Sequence, residues 1–387
     1  MTPLNIVHFS QDFREGKSQL GAFSRIYNLT NDGNHHIIFT IHFEESDLVT
    51  STLDHLTIVR VGIGKLRIHV RNEWQMARII SKKILSYLYD NPTPIDILFG
   101  HSQLVNFYVL DNVRRQLRVP YIWELNVFTG LPLRHGRFSL INVYRYFGEW
   151  IAYHRADHLV AQTARSKQTI QTDYHISSQK ISVITNSVNL EEYSTRKVYQ
   201  QKGEKRRLRV YFIGRFDTLN GLNFIIDNIA TLNSAGIDLY LLGDGSNVET
   251  VKRLHQQGKL TYLGTVPRNQ MLEEYLQADI LLIPRVRCFL SDHYIPTKLL
   301  EAMAVGLIVL GSDVAGITEV LRDGENGFIF KAEDPVAMVK QLQAIEILDD
   351  SYKQQISNTA IEVIRAKFTM TKNNQQLDDI YRKVLQS

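Results

Sequence analysis

Three short stretches in the second half of the chain place cations and glycines where an anionic ligand could be held. In FIGRFDTLNG, a β-branched run ends at Gly214, Arg215 follows at once, and the Asn220-Gly221 pair opens a helix. Glycine lets a ligand approach the backbone, a helix start favours anions, and an arginine can fork a phosphate. A tight turn followed by a surface arginine would read the same way. The second stretch, LLGDGSN, is another strand, glycine turn and helix start, with Asp244 and Gly245 at the turn. Such turns are common in α/β proteins. The third stretch runs from Ile283 to Leu321. After DILLIP and a long loop, Pro296 and Thr297 start the helix TKLLEAMAV, in which Lys298 and Glu301 are three apart and share a face. A cation beside exposed N–H groups suits a diphosphate, and a carboxylate one turn later suits ribose hydroxyls. The same pair could equally be a solvated ion pair.

Other chemistries lack their residues. The thirteen histidines are scattered, with no helical two-ligand spacing backed by carboxylates. There is no G-x-S-x-G elbow, no Walker phosphate loop and no G-x-G-x-x-G after the first strand. The loop there is QDFREGKSQLGAFSR, with Gly16 and Gly21 ahead of a helix. A lone cysteine, Cys288, excludes an intramolecular disulfide. A net charge of +4 is too small to argue for nucleic acid. No signal peptide or membrane-spanning run is read, so a cytoplasmic protein is expected.

The elements that must position these residues follow a βα rhythm. Strand candidates in the first half are 4–9, 35–43, 56–61, 96–101, 121–126, 158–163 and 181–186. After a polar, basic stretch the rhythm restarts with 209–214, 237–245, 259–264, 279–284, 307–313 and 327–330, and beyond about 350 only helical periodicity remains. Continuous apolar runs such as DILF indicate strands buried on both faces. The expected organisation is a Rossmann-like domain at 1–187, a linker at 188–208, a second Rossmann-like domain at 209–370, and a terminal helix at 371–387 that crosses back to the first. In doubly wound sheets ligands bind at the carboxyl ends of strands, which is where the three stretches lie.

Taken in order, these segments resemble the retaining glycosyltransferases of family 4. The resemblance covers almost the whole chain. It is densest at 279–330, where ADILLIP, the PTKLLEAMAVG helix and GSDVAGITEVLRDGENGFIF are followed by EDPVAM. ADHLVAQTARSKQTI through ISVITNSVNLEEY resembles the segment closing the family's first domain. The resemblance implies a GT-B fold of two parallel-sheet domains facing across a cleft. It implies a UDP-sugar or GDP-sugar donor in the second domain, an acceptor in the first, retention of anomeric configuration, and no metal or other cofactor. By motif, Arg215 matches the arginine on the donor diphosphate, and Glu301 matches the second family glutamate, near the ribose. Gly21 matches the N-terminal glycine loop, and Asp244 and Gly245 match the turn beside the nucleotide. Gly214 and Thr297 lie in the matching donor loops.

Three positions depart from the family pattern. Asn220 stands where a lysine is usual, and His293, preceded by Asp292, stands where the first glutamate is usual. Asn126 replaces a common histidine or arginine. Lys298 could supply the missing cation, and Asp292 or His293 could meet a sugar hydroxyl. The expected function is transfer of a hexose-type sugar to a glycan, a lipid-linked glycan or a small acceptor, as in polysaccharide biosynthesis. The competing expectation is a non-catalytic GT-B subunit that binds or activates a partner transferase. A glycan phosphorylase is disfavoured by the absence of a pyridoxal-lysine context. Basic and aromatic residues at 65–83 (Lys65, Arg67, Arg71, Trp74, Arg78) and 131–155 (Arg134, Arg137, Phe138, Tyr144, Arg145, Phe147, Trp150) suit peripheral contact with the inner face of a membrane. They equally suit helices whose apolar side faces a core.

Overall fold

The apolar runs become central strands because their residues are covered on both faces. Ile280–Ile283 is buried at all four positions, and so are Ile97–His101 and Tyr121–Leu125. The structure, a computed structural model, describes residues 3–11, 21–42, 48–53, 56–64, 72–125, 128, 139–199 and 207–386. Gly16, Lys65, Arg67, Arg71, Asn126, Arg134, Arg137 and Phe138 lie outside the described residues. The chain divides into two units, residues 1–185 with 370–387, and residues 186–369.

The first unit runs β1 (Asn5–Phe9), α1 (Gly21–Leu29), β2 (His35–His42), β3 (Leu48–Leu53), β4 (Leu56–Gly62), α2 (Glu73–Asp90), β5 (Ile97–His101) and α3 (Leu104–Leu117). It continues through β6 (Tyr121–Leu125), α4 (Leu140–Arg155), β7 (His158–Ala161), α5 (Ala164–Tyr174) and β8 (Ile181–Val183). The sheet order is β3-β4-β2-β1-β5-β6-β7-β8. Every pairing is parallel except β3 with β4, an antiparallel edge hairpin that the sequence reading did not anticipate. The β3 segment, LVTSTL, has no buried position and half of its residues are polar, so it lacks the apolar signature of a buried strand.

The second unit runs β9 (Leu208–Ile213), α6 (Leu222–Asp227), α7 (Ile229–Ser234), β10 (Ile237–Leu242), α8 (Val248–Gln256), β11 (Thr261–Gly264), α9 (Met271–Gln277) and β12 (Ile280–Ile283). It then follows α10 (Phe289–His293), α11 (Thr297–Val305), β13 (Ile308–Ser312), α12 (Ala315–Thr318), β14 (Phe328–Phe330), α13 (Pro335–Glu346) and α14 (Asp350–Lys367). Its all-parallel order, β11-β10-β9-β12-β13-β14, reverses direction between β9 and β12. That is the switch point where the strand ends diverge and leave a crevice.

The polar stretch expected as a solvated linker is packed on the second unit as far as residue 199. Val188 pairs with Thr369, Tyr193 enters the core, and Lys197 donates to Leu276 O at 2.8 Å, at the carboxyl end of α9. A few apolar anchors and one cation at a helix end suffice to hold it there. The chain returns to the first unit in α15 (Met370–Leu385). Leu377, Ile380, Tyr381 and Val384 of that helix pack on Ile6, Ile97, Phe99 and Ile122 of the first sheet.

Candidate functional site

At the reversal between β9 and β12, the two loops that leave β9 and β10 are bound edge to edge. Gly214 N donates to Leu242 O at 2.9 Å, Phe216 N donates to Asp244 O at 2.7 Å, and Ser246 Oγ donates to Phe216 O at 3.2 Å. This approach requires glycine. Gly243 has φ of +148°, and a Cβ there would stand 1.9 Å from Gly214 O. Gly214, with φ of +130°, leaves its open side to Lys298, whose Nζ would lie 2.9 Å from a Cβ at that position. Asp244 is exposed, with its carboxylate accepting from Gly245 N at 2.7 Å.

Lys298 comes from the first turn of α11. Its ammonium donates to Ile213 O at 2.7 Å and lies 5.0 Å from the Phe212 ring centroid. Burial, and then the neighbouring Arg285 charge, bring its pKa down to about 7, although Asp217 and Glu301 pull the other way. Lys298 and Glu301 therefore do not form the surface ion pair that their spacing allows. Glu301 Oε2 instead accepts from Tyr275 OH at 2.7 Å, with Tyr193 and Arg268 beside it. Thr297 begins α11 after Pro296, with no side chain capping the helix start. Leu299 N donates to Pro296 O at 3.0 Å, while the N–H groups nearest a helix start have no partner within the helix.

Arg285, not among the residues expected from the sequence, lies two residues beyond the end of β12, after Pro284. It donates from Nη1 to Tyr294 O at 2.8 Å, and its Nε is buried without a partner. Burial brings its pKa down to about 10 against the opposing pull of Cys288 and Asp217. The available signal was position alone, an arginine immediately after the buried run DILLIP. Arg215 is two-thirds exposed (66%) and pairs with Asp217. Asp217 also accepts from Asn220, from its N at 2.9 Å and its Nδ2 at 2.8 Å. Burial alone would raise the Asp217 carboxyl, but Asn220 and Arg215 outweigh it and hold it low. Asn220 thus braces the loop. The cluster holds three basic side chains, Arg215, Arg285 and Lys298, around the Asp217 carboxylate, with Glu301 also acting on Lys298.

Asp292 and His293 both make contacts within the second unit. Asp292 Oδ1 accepts from Ala315 N at 2.9 Å, at the start of α12. His293 is buried, stacks on Phe289 with centroids 3.9 Å apart, and has Nδ1 2.7 Å from Phe289 O. Gly21 opens α1 in the first unit. Removing Arg215 should test which role it plays. Arg215→Ala is expected to leave the unfolding midpoint nearly unchanged, because an exposed pair contributes about 0–1 kcal/mol. It should weaken nucleoside diphosphate binding roughly 10- to 100-fold, the loss of one charged hydrogen bond. Calorimetric titration and chemical denaturation would read the two effects.

Residues 27–192 match the family model described as Glycosyltransferase Family 4, and residues 207–347 match that of Glycosyl transferases group 1. An uncharacterised glycosyltransferase of Methanocaldococcus jannaschii is 22% identical over 302 residues, covering 74% of this chain and 75% of that protein. Several other relatives are matched over about half of their own length. Sucrose-phosphate synthase from Thermosynechococcus elongatus has a similar structure, with a TM-score of 0.80 at 16% identity over 98% of this chain and 99% of that one. The Anabaena protein HepE, crystallised with UDP and glucose, gives a TM-score of 0.72 at 17% identity over 97% and 99% of the two chains.

Proposed function

Since the chain belongs to glycosyltransferase family 4 and has the GT-B fold, we propose that it transfers a hexose-type sugar, with retention, from a UDP- or GDP-sugar. The acceptor would be a glycan, a lipid-linked glycan or a small molecule, held by the first unit. One observation carries the donor assignment. Two cations with depressed pKa values, Lys298 and Arg285, share a strand-end site with Arg215, and two carboxylates, Asp217 and Glu301, act on Lys298. Such a group is short of negative charge, and a diphosphate supplies it. During transfer, charge grows on the leaving diphosphate oxygen. Lys298, Arg285, Arg215 and the open start of α11 are preorganised to stabilise it without metal. Glu301 would accept from a ribose hydroxyl. The crystallised UDP complex of HepE supports a nucleotide-sugar donor of this kind.

A thermal-shift panel of UDP-, GDP- and ADP-sugars tests the reading, because a ligand bound only by the native state raises Tm. One nucleotide series should raise it, and that donor should then turn over with retained anomeric configuration, read by NMR. Binding without turnover across an acceptor panel would favour a non-catalytic subunit. Absence of any shift would remove the donor site.

We also propose that the first unit rests on an anionic membrane. Leu140, Ile141, Phe147 and Trp150 are exposed on α4, with Leu140 at 81%. Tyr144 on the same helix donates to Glu73 at 3.1 Å, which places the start of α2 alongside. There Trp74 is exposed, and the Arg78 guanidinium lies 3.6 Å over its ring. These apolar side chains do not face a core, which favours the membrane reading of the sequence pattern. No helix among the described residues is long and apolar enough to cross a membrane. Sedimentation with anionic vesicles at low salt should exceed that with neutral vesicles, and Trp74→Ser with Ile141→Ser should abolish the excess. Equal sedimentation with both vesicle types would refute the proposal.

A further inference from the structure

In the first unit, the sheet face beneath α15 holds a continuous run of buried polar side chains. Asp32, in the turn before β2, accepts from His36 Nε2 at 2.8 Å. His36 Nδ1 lies 2.8 Å from His8 Nε2, and His8 Nδ1 lies 3.0 Å from His101 Nε2. His101 Nδ1 lies 2.6 Å from Glu124 Oε2, while Glu124 Oε1 accepts from Arg25 Nε. The side chains of Asp32, His36 and Glu124 are fully buried, and those of His101 and Arg25 nearly so. Every imidazole nitrogen is already engaged, so the run offers no lone pair to a metal.

Counting protons shows what is unusual. Four gaps separate Asp32 from Glu124, and each hydrogen bond needs one proton. A neutral imidazole carries one proton, so three supply three. Ionised carboxylates supply none. Burial alone would raise the Glu124 carboxyl, but Arg25 and His101 hold it down at about 2. Burial acts likewise on Asp32, and His36 with Asn34 outweighs it. One gap is therefore left without a proton, two acceptors facing each other in a sealed interior.

We propose that the folded protein traps one excess proton in this run, so that at neutral pH one of His8, His36 and His101 is an imidazolium. Charge balance supports it. Asp32, Glu124, Arg25 and one imidazolium sum to zero, whereas without the proton a net negative charge is buried, which is costly. The middle ring is the neutral one, since burial and then His36 and His101 push His8 well below its usual range. The positive charge then sits on His101 or on His36, each beside a carboxylate. To pass between these states, a proton moves from His101 Nε2 to His8 Nδ1 while another moves from His8 Nε2 to His36 Nδ1. Only the His8 tautomer reverses, and both carboxylates keep their partners. The other charges facing the run come from α15, where Asp378 and Arg382 lie by the Asp32 end, and Tyr381 lies in reach of both Asp32 and Glu124.

The trapped proton holds Glu124 in place for Arg25. Arg25 donates to Ile184 O at 2.7 Å and to Thr185 O at 2.8 Å, where the chain leaves the first unit. Asn373 donates to the same Thr185 oxygen at 2.9 Å.

Proton-detected 15N NMR of the full chain labelled at histidine, at pH 7.5, tests the proposal. Imidazolium and the two neutral tautomers have distinct nitrogen shifts. One imidazolium is expected among the three rings, with His8 neutral. In Glu124→Gln the amide donates to His101 Nδ1 and supplies the fourth proton, so all three rings should become neutral. Asp32→Asn should do the same from the other end. Should that variant not fold, the near-isosteric Glu124→Gln carries the test. Three neutral rings in the folded wild-type protein, or an imidazolium that persists unchanged in Glu124→Gln, would overturn the proposal.

Discussion

Replacing Lys298 with methionine is expected to lower sugar transfer about 100- to 1,000-fold, the usual cost of losing one preorganised donor to a developing anion. Methionine keeps the stem against Phe212 and removes only the charge that faces Gly214 and Ile213 O. The pH dependence gives a second reading. The wild-type ammonium titrates near 7 when folded, against 10.5 when unfolded. Below about 7 both states are protonated and the penalty for burying the charge is complete. Between about 7 and 10.5 the unfolded chain holds the proton and the folded one does not, so wild-type stability rises with pH. Lys298→Met should be more stable than wild type at pH 6, with the gap closing by pH 10, measured by urea denaturation. A diphosphate reverses the preference and favours the ammonium. Wild-type affinity for UDP or GDP should therefore fall above pH 7, by at most about tenfold per unit, with proton uptake visible in calorimetry in two buffers. The methionine variant should show weak binding without that slope. A slope that survives the substitution would assign the titration to another group.

How far the residue pattern reached depends on the kind of information each feature needs. Strands such as DILLIP and helices such as TKLLEAMAV were legible to within a residue or two because burial writes itself into local periodicity. The edge strand Leu48–Leu53 was not, because half-exposed polar residues carry no such period. Arg215 and Lys298 could be read from their place after a strand and at a helix start. Arg285 follows the same rule, yet inside RVRC nothing distinguishes it from Arg287, which pairs at the surface with Asp313. The choice between them is made by which side chain turns inward. Asp292 and His293 carry contacts that residue type alone does not reveal. Their residue types suit a sugar hydroxyl, but the backbone geometry of α10 directs Asp292 to Ala315 N and His293 toward Phe289 O. The histidine run needed the strand order itself, since His8, His36 and His101 become neighbours only when β1 lies between β2 and β5.

Replacing Arg285 with methionine is expected to weaken donor binding about 10- to 100-fold and to shift the pH at which the remaining affinity breaks. The affinity loss follows from the buried, unpartnered Nε, a donor that a phosphate oxygen would satisfy. The shift follows from the neighbour. After burial itself, the Arg285 charge is the main influence lowering the Lys298 pKa. With that charge gone, Lys298 should keep its proton to higher pH, and the decline in nucleotide affinity should begin above 7 instead of near it. Asp217 acts on Lys298 in the opposite sense. Asp217→Asn should therefore move the break to lower pH, and it should also free Arg215 from its ion pair. Opposite displacements from two substitutions in one pocket cannot be produced by a general loss of stability, which would weaken binding at every pH alike. Calorimetric titrations of UDP and GDP from pH 6 to 9 on the three proteins would measure both displacements. A break that stays in place in Arg285→Met would separate Arg285 from Lys298 and leave Lys298 as the cation that responds to pH without it.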